Sequence, residues 1–340
     1  ESNPLGIKQT HDKETLKWLN KGYINQNKGF WIFNKILIWQ STVLKRGLID
    51  SFDSIILLGD MYLLSNWLLA IIARLRGKKV IFWSHGLYGN ENNIKKAFRL
   101  NFYKLANFHL VYENRAKQLL LKHGFKENRI KVIYNSLAYT IQKNLFNKLS
   151  KVNSNPFIFF ENNNLPVFFF SGRLAKSKKI VLLIEAITHL NVKEQICNLL
   201  IVGEGPEKTN LLLKANKLIE SKSIFFYGEC YNESILASFF YNSICTISPG
   251  NVGLTGIHSF SYGTPVITHN NYNNQMPEVE AIIEGENGFF FVEDDIKSLI
   301  LTIKKVLTSN INFRNNCRKV IDNKYNPDFQ VNILKKIINA

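Results

Sequence analysis

The chain has 340 residues, 46% of them hydrophobic, and carries 43 Lys or Arg against 26 Asp or Glu for a formal charge of +17. At about 100–200 residues per domain this length makes roughly two domains with substantial cores. Four scattered cysteines, Cys197, Cys230, Cys245 and Cys317, form no C-x-x-C pair, which excludes a zinc ribbon or disulfide framework and fits a reducing cytoplasm.

The opening, Glu1-Ser-Asn-Pro-Leu-Gly-Ile-Lys8, has no initiator Met, no export signal and no apolar strand with a glycine turn, the usual start of a Rossmann-like domain. The first strand or strands of an N-terminal domain are therefore expected to be missing from this sequence. The stretch 30–46 reads as a helix, with Phe30, Trp31, Phe33, Ile36, Leu37, Trp39 and Leu44 beside Lys35, Lys45 and Arg46. Its apolar face would pack on a core or rest on a membrane.

Alternation of strand and helix follows. Ser54–Leu58, Lys79–Trp83, His109–Tyr112 and Ile130–Tyr134 are short β-rich runs, with helical segments near 61–76, 92–106 and 114–123 between them. The most apolar helix, Tyr62–Ala73, contains Ser65 and Asn66 and falls short of the roughly 18–20 apolar residues of a membrane span. The chain is expected to be soluble or peripheral. At the end of the second run stands Phe82-Trp-Ser-His85-Gly86-Leu-Tyr-Gly89, whose two glycines allow close backbone approach.

Residues 136–165 loosen into an interdomain connection with room for a helix. A second series begins with strands at Val167–Ser171, Asn198–Val202, Ser223–Tyr227, Ile244–Ile247 and Pro265–Thr268, and helices near 177–190, 206–219, 232–240, 254–262 and 295–308. A last helix follows Pro327. Such alternation predicts two doubly wound domains of parallel sheet whose strand-to-helix loops share one edge and face a central cleft. The boundaries are expected at 1–148, 149–322 and a C-terminal helix in 323–340. Charge is uneven: residues 1–150 have a net of +15 and residues 151–340 a net of +2. The first half is expected to face something anionic, the alternative being a solvated lysine surface.

Two places in the second half suit a phosphate. Val167–Ser171 ends in Gly172-Arg173-Leu174-Ala-Lys176-Ser-Lys178-Lys179, which brings a guanidinium and several ammonium groups to the carboxyl edge of a sheet. Further on, Ser248-Pro-Gly250-Asn251-Val252-Gly253-Leu254-Thr255 reads as strand end, glycine-bearing turn and helix start, and peptide N–H groups at a helix start hold anions. Together they predict a diphosphate site. Gly203-Glu-Gly205-Pro206 lacks the third glycine of a dinucleotide fingerprint, and Pro206 fits as the first residue of a helix.

The ordered set Gly172-Arg-Leu with Lys178, Ile201-Val-Gly-Glu-Gly-Pro206, Phe226-Tyr-Gly228, Ile247-Ser-Pro249, Gly253-Leu254, Tyr262-Gly-Thr-Pro-Val-Ile267, Pro277-Glu278 and Glu284-Gly-Glu-Asn-Gly288 resembles the C-terminal domain of the family-four glycosyltransferases with the GT-B fold. The resemblance spans most of residues 130–310. It departs at two positions where the family carries glutamates, one associated with the donor sugar and one with the nucleotide ribose, here Gly250 and His258. The chain therefore resembles a divergent subgroup.

The resemblance implies a retaining enzyme that moves a sugar from a nucleotide diphosphate, with Arg173, Lys178 and the N–H groups of Val252–Thr255 neutralising the leaving phosphate without a metal or other cofactor. It implies donor contacts from Gly172, Gly228, Cys230, Val252, Gly253, Leu254, Thr255 and Glu278, with a plain tight turn the alternative at Gly228 and a helix cap the alternative at Glu278. At the departing positions, Gly250 with Asn251 opens space and offers amide groups, and His258 can hydrogen-bond ribose hydroxyls or a phosphate. A His at the strand end of His85 commonly lines the family's cleft, so His85 joins Arg173 and Lys178 as a catalytic candidate; a structural cap is the alternative. The basic first half and the lack of a span suit a bacterial enzyme at the inner face of the cytoplasmic membrane. Its acceptor would be a glycan or lipid-pyrophosphate-linked glycan, in O-antigen, capsule or exopolysaccharide synthesis. Two alternatives are a nucleotide-sugar epimerase of the same architecture, for which no additional carboxylates are visible, and a basic polyanion-binding protein. No RNA-binding motif interleaves aromatic and basic residues, so nucleic acid is not an expected partner.

Overall fold

The computed structural model describes residues 30–32, 37–152, 154–309 and 312–339; the expectation about the chain's opening lies outside the described residues. The chain divides into two compact units: residues up to Ser84 with Asn93–His109, and His85–Asn92 with everything from Leu110 onward.

In the first unit the expected helix over 30–46 is replaced by strands β1 (Phe30–Ile32) and β2 (Leu37–Trp39), paired antiparallel with Phe30 opposite Trp39, and by helix α1 (Ser41–Ile49). Helical spacing of apolar residues suggested the helix, but aromatic and β-branched side chains favour extended backbone. Strand β3 (Ser54–Leu58), helix α2 (Leu64–Leu75), β4 (Lys79–Ser84), α3 (Asn93–Tyr103) and β5 (Phe108–Val111) continue the series. Strands β3 and β4 pair in parallel, Ser54 opposite Lys79 through Leu58 opposite Trp83. Phe82 of β4 stacks on Phe102 at 4.4 Å and meets the His109 ring edge-on at 6.3 Å. Burial in this aromatic nest holds His109 down at about 4, so it is neutral at physiological pH.

The second unit continues with α4 (Asn114–Lys122), β6 (Ile130–Val132) and α5 (Tyr139–Leu149). There follow β7 (Val167–Ser171), α6 (Ile180–Leu190), β8 (Asn198–Val202), α7 (Lys208–Lys214), α8 (Asn216–Glu220), β9 (Ile224–Gly228), α9 (Glu233–Asn242), β10 (Cys245–Ser248) and α10 (Leu254–Ser261). The chain finishes with β11 (Val266–His269), β12 (Gly288–Phe291), α11 (Ile296–Leu307), α12 (Phe313–Asn323) and α13 (Pro327–Ile338). These strands make a parallel sheet of order β9-β8-β7-β10-β11-β12. Strands buried on both faces must be apolar throughout, and alternate residues serve different layers. Phe168, Phe170, Leu199 and Ile201 pack with Leu183, Ile184 and Ile187 of α6. Val167, Phe169, Leu200 and Val202 pack with Phe239, Phe240 and Tyr262.

Cys197, Cys245 and Cys317 are buried and Cys230 is half-buried. Burial pushes the Cys197 thiol up to about 12. No helix among the described residues is long and apolar enough to cross a membrane.

Candidate functional site

Strand order 3-2-1-4-5-6 has one switch point, between its first and fourth strands, where successive loops depart to opposite faces and leave a crevice at the strands' carboxyl ends. Here those strands are β7 and β10, paired at Phe168–Cys245 and Phe169–Thr246. The two predicted phosphate loops are the ones that leave them.

After β7, backbone-to-backbone contact fixes the chain. Gly172 donates its N–H to Val202 O at 3.0 Å, Leu174 to Glu204 O at 2.9 Å, and Glu207 to Leu174 O at 3.0 Å. Any Cβ on Gly203 would run into Gly172 O, and one on Gly205 into Leu174 O. The Gly-x-Gly after β8 therefore exists to let two main chains touch. With Leu174 fully buried, its neighbour Arg173 is exposed; its carbonyl accepts from Ala175 N–H at 2.9 Å, and its guanidinium makes no hydrogen bond or ion pair among the described residues.

The turn after β10 is braced from within. Thr268 donates its hydroxyl to Ser248 O at 2.9 Å and to Gly250 O at 3.2 Å, while Ser248 Oγ donates to Asn251 O at 3.2 Å. Lys178 Nζ donates to Asn251 O at 3.0 Å and Oδ1 at 2.7 Å, and Gly250 N–H donates to Lys178 O at 3.1 Å. Three carbonyls of the turn are thus engaged by protein. Thr255 Oγ1 donates to Ser171 O at 3.2 Å, which ties the start of α10 to the end of β7.

First-turn N–H groups have no intrahelical acceptor. Gly256 donates to Gly253 O at 2.9 Å, which leaves the N–H groups of Gly253, Leu254 and Thr255 without a partner among the described residues. Val252, counted with them in the sequence, is different: its N–H donates to Gln275 Oε1 at 2.7 Å. Lys178 also differs from a free phosphate-binding cation. Burial lowers its pKa, only partly offset by the Glu278 carboxylate. Glu278 is buried, its pKa raised by that burial although Asn135 Nδ2 donates to it.

The switch point thus brings together Gly172, Arg173, Lys178 and Gly250–Thr255, with Glu278 within electrostatic reach of Lys178. Gly228 ends β9, where its carbonyl accepts from Gly203 N–H at 2.8 Å. Cys230 follows in the loop, its Sγ 3.9 Å from Asn232 O. His258 Nε2 lies 2.9 Å from Glu233 Oε1, the same oxygen that accepts from Tyr262 OH and from Gln142 Nε2. Burial works to raise the Glu233 carboxyl, but these hydrogen bonds outweigh it and hold it below the ordinary range. His85, just past β4, lies against Tyr112 at 4.8 Å and Tyr88 at 6.2 Å.

Sequence reasoning missed Gln275, Glu233 and Asn135. Gln275 sits in an Asn-rich loop with no motif, and Glu233 and Asn135 reach their partners across 25 and 143 positions, which no local pattern encodes. Among the described residues no three His, Cys, Asp or Glu side chains cluster as metal ligands.

The sequence profile of the family described as "Glycosyl transferases group 1" matches residues 152–325, more than half of the chain. Similar solved structures include a glycosyltransferase from Rickettsia africae ESF-5, with a TM-score of 0.69 at 18% identity over 95% of this chain and 86% of that one. Anabaena Alr3699/HepE in complex with UDP gives 0.67 at 15% over 88% and 81%. The lipopolysaccharide outer core galactosyltransferase WaaB, in its apo form, gives 0.64 at 16% over 88% and 78%. At these identities the likeness is one of fold, the GT-B architecture of two Rossmann-like sheets. No curated protein matches the sequence.

Proposed function

We propose, since the chain belongs to the group 1 glycosyl transferases, that it moves a sugar from a nucleotide diphosphate to a glycan or lipid-linked acceptor with retention. The observation that carries this reading is the switch point itself, where the exposed Arg173 guanidinium and the open N–H groups of Gly253–Thr255 stand at the ends of adjacent strands. As the anomeric C–O bond breaks, negative charge grows on the departing β-phosphate. Arg173 offers it a planar fork and the peptide groups offer dipoles, with no metal required. Lys178 adds positive charge and holds the Asn251 peptide.

In this reading residues 149–322 form the donor domain and 1–148 the acceptor domain, with helix 323–340 completing the fold. Gly228 and Cys230 flank the base, Glu278 serves the donor sugar, and His85 serves the acceptor side. Gly250 and His258 mark a subgroup that lacks the paired glutamates. His258, held by Glu233, keeps a carboxylate beside the position where the family has one. The Anabaena relative binds UDP, so UDP-sugars are the first donors to test. The basic first half, with its net of +15, suits an anionic membrane surface, and with it bacterial surface polysaccharide synthesis.

A thermal-shift screen of nucleotide sugars identifies the donor, and Arg173→Ala then tests the grip. Loss of one preorganised charge-stabilising donor costs about 2.7–4 kcal/mol of transition-state stabilisation, so turnover should fall at least about a hundredfold with an unchanged melting temperature. Lys178→Ala should lose as much turnover and also melt earlier, because it frees the Asn251 turn. Near-normal turnover of Arg173→Ala overturns the assignment.

A further inference from the structure

The Gln275 side chain is unusual in this site because both its donors and its oxygen are engaged, one bond going to the turn that would hold the ligand and two to the adjacent strand β11. Its Oε1 accepts from Val252 N–H at 2.7 Å, and its Nε2 donates to Thr268 Oγ1 at 2.9 Å and to His269 O at 2.9 Å. The three bonds fix the orientation of the amide. Flipped, its NH2 would face the Val252 N–H and its oxygen would face a carbonyl. Thr268, which Gln275 addresses, is the residue whose hydroxyl reaches Ser248 O and Gly250 O. One side chain therefore touches the turn directly at its buried fifth residue and, through Thr268, at two carbonyls.

The loop that carries Gln275 is itself anchored. Asn271 and Asn274 donate to Glu293 at 2.5 and 3.0 Å, Lys179 Nζ donates to the same carboxylate at 2.8 Å, and Arg115 donates to Tyr272 O at 2.7 Å and Asn273 Oδ1 at 2.6 Å. Burial would raise the Glu293 carboxyl, but the bonds from Lys179, Asn274 and Asn271 bring it down to about 2, so it stays ionised and keeps the loop in place at any ordinary pH.

We infer that Gln275 is a positioning residue: by occupying the Val252 N–H and bracing Thr268, it fixes the peptide planes of Gly250–Val252 so that carbonyls point inward and the N–H groups of Gly253, Leu254 and Thr255 face the diphosphate. Without it the Asn251–Val252 peptide has a buried N–H with no acceptor, and rotation of that peptide would turn a carbonyl dipole toward the anion. The inference rests on the diphosphate reading above.

Inorganic pyrophosphate and UDP serve as probes in titration calorimetry. Gln275→Met keeps the bulk and removes all three bonds; it should weaken pyrophosphate and UDP by about tenfold, the equivalent of about 1.4 kcal/mol. Gln275→Glu keeps an acceptor for Val252 but loses both donors, and regains one when protonated. Its affinity relative to the unaltered protein at the same pH should fall at least tenfold near pH 8 and recover as the pH approaches 5, whereas the Met variant's deficit should stay constant. Variants that bind pyrophosphate as the unaltered protein does, or a Glu variant whose deficit ignores pH, overturn the inference alone. If the unaltered protein binds neither probe, the diphosphate reading falls first and takes this one with it. Should the Met variant fail to fold, the pH course of the Glu variant decides.

Discussion

Gly250 offers the sharpest test of how the turn is built. A Cβ on it would stand 2.8 Å from Lys178 Cα and 3.0 Å from the Lys178 carbonyl carbon, and closer still to Ser177 O. All three are main-chain atoms, so no change of rotamer can make room and the 176–178 turn must move. Overpacking of this kind costs about 1–3 kcal/mol. Displacing Lys178 also strains, without necessarily breaking, the bond from Gly250 N–H to Lys178 O, worth about 0.5–1.5 kcal/mol, and the ammonium bonds to Asn251, worth about 1.5–3 kcal/mol each when intact. Gly250→Ala should therefore lose about 2–4 kcal/mol. At about 2–4 °C per kcal/mol for a unit of 150–250 residues, the melting temperature should fall by several degrees. UDP affinity should fall too, since Lys178 leaves its place. Gly250→Glu, which writes in the glutamate of the family pattern, should be worse than alanine on both counts rather than restore function. Calorimetric melting with and without UDP reads both effects. An alanine variant that melts and binds UDP like the parent refutes the reasoning, because it would mean that the 176–178 turn does not close on Gly250.

Burial, with Glu280 nearby and Arg115 opposing, pushes the Glu113 carboxyl from an ordinary 4.5 up to about 7. The folded state then holds a proton that the unfolded chain releases, so this contribution to stability is full below 4.5 and is lost as pH rises through 7. Glu113→Gln should flatten the decline in urea stability between those limits; parallel pH courses for variant and parent refute it. The basic first half predicts sedimentation with anionic phospholipid vesicles that weakens steeply as salt shortens the screening length from about 10 Å at 0.1 M to about 3 Å at 1 M. Failure to sediment at low salt, or sedimentation indifferent to salt, counts against a charge-held membrane contact.

Parallel strands were legible because a strand covered on both faces has to be apolar along its length. Val167–Ser171 and Asn198–Val202 fall where the sequence puts them, and so does Ser54–Leu58, although its Ile56 and Leu58 are exposed. Strand Gly288–Phe291 and helix Phe313–Asn323 were not read. The first is four residues after a glycine turn, and the second is amphipathic with mostly polar residues, so neither announces itself by hydrophobicity. Segment 30–46 went wrong where helical spacing and strand-favouring side chains compete in one short run. Both loops proposed to hold phosphate could be located because they follow strand ends. That they meet depends on β7 pairing with β10, a strand order the sequence does not display. The roles of Gln275 and Glu233 arise from contacts made only after the sheet is assembled.

The proposed hold, made largely of peptide groups, has a consequence for inheritance. Substitution can delete a carboxylate or an imidazole, but apart from proline it cannot delete an N–H, so the open groups at Gly253–Thr255 persist through most changes in the side chains around them. What drift can destroy is the scaffold that aims them. Selection on such a loop should therefore act less on the residues nearest the cargo than on the small or buried ones behind it, Gly250 and Thr268 among them.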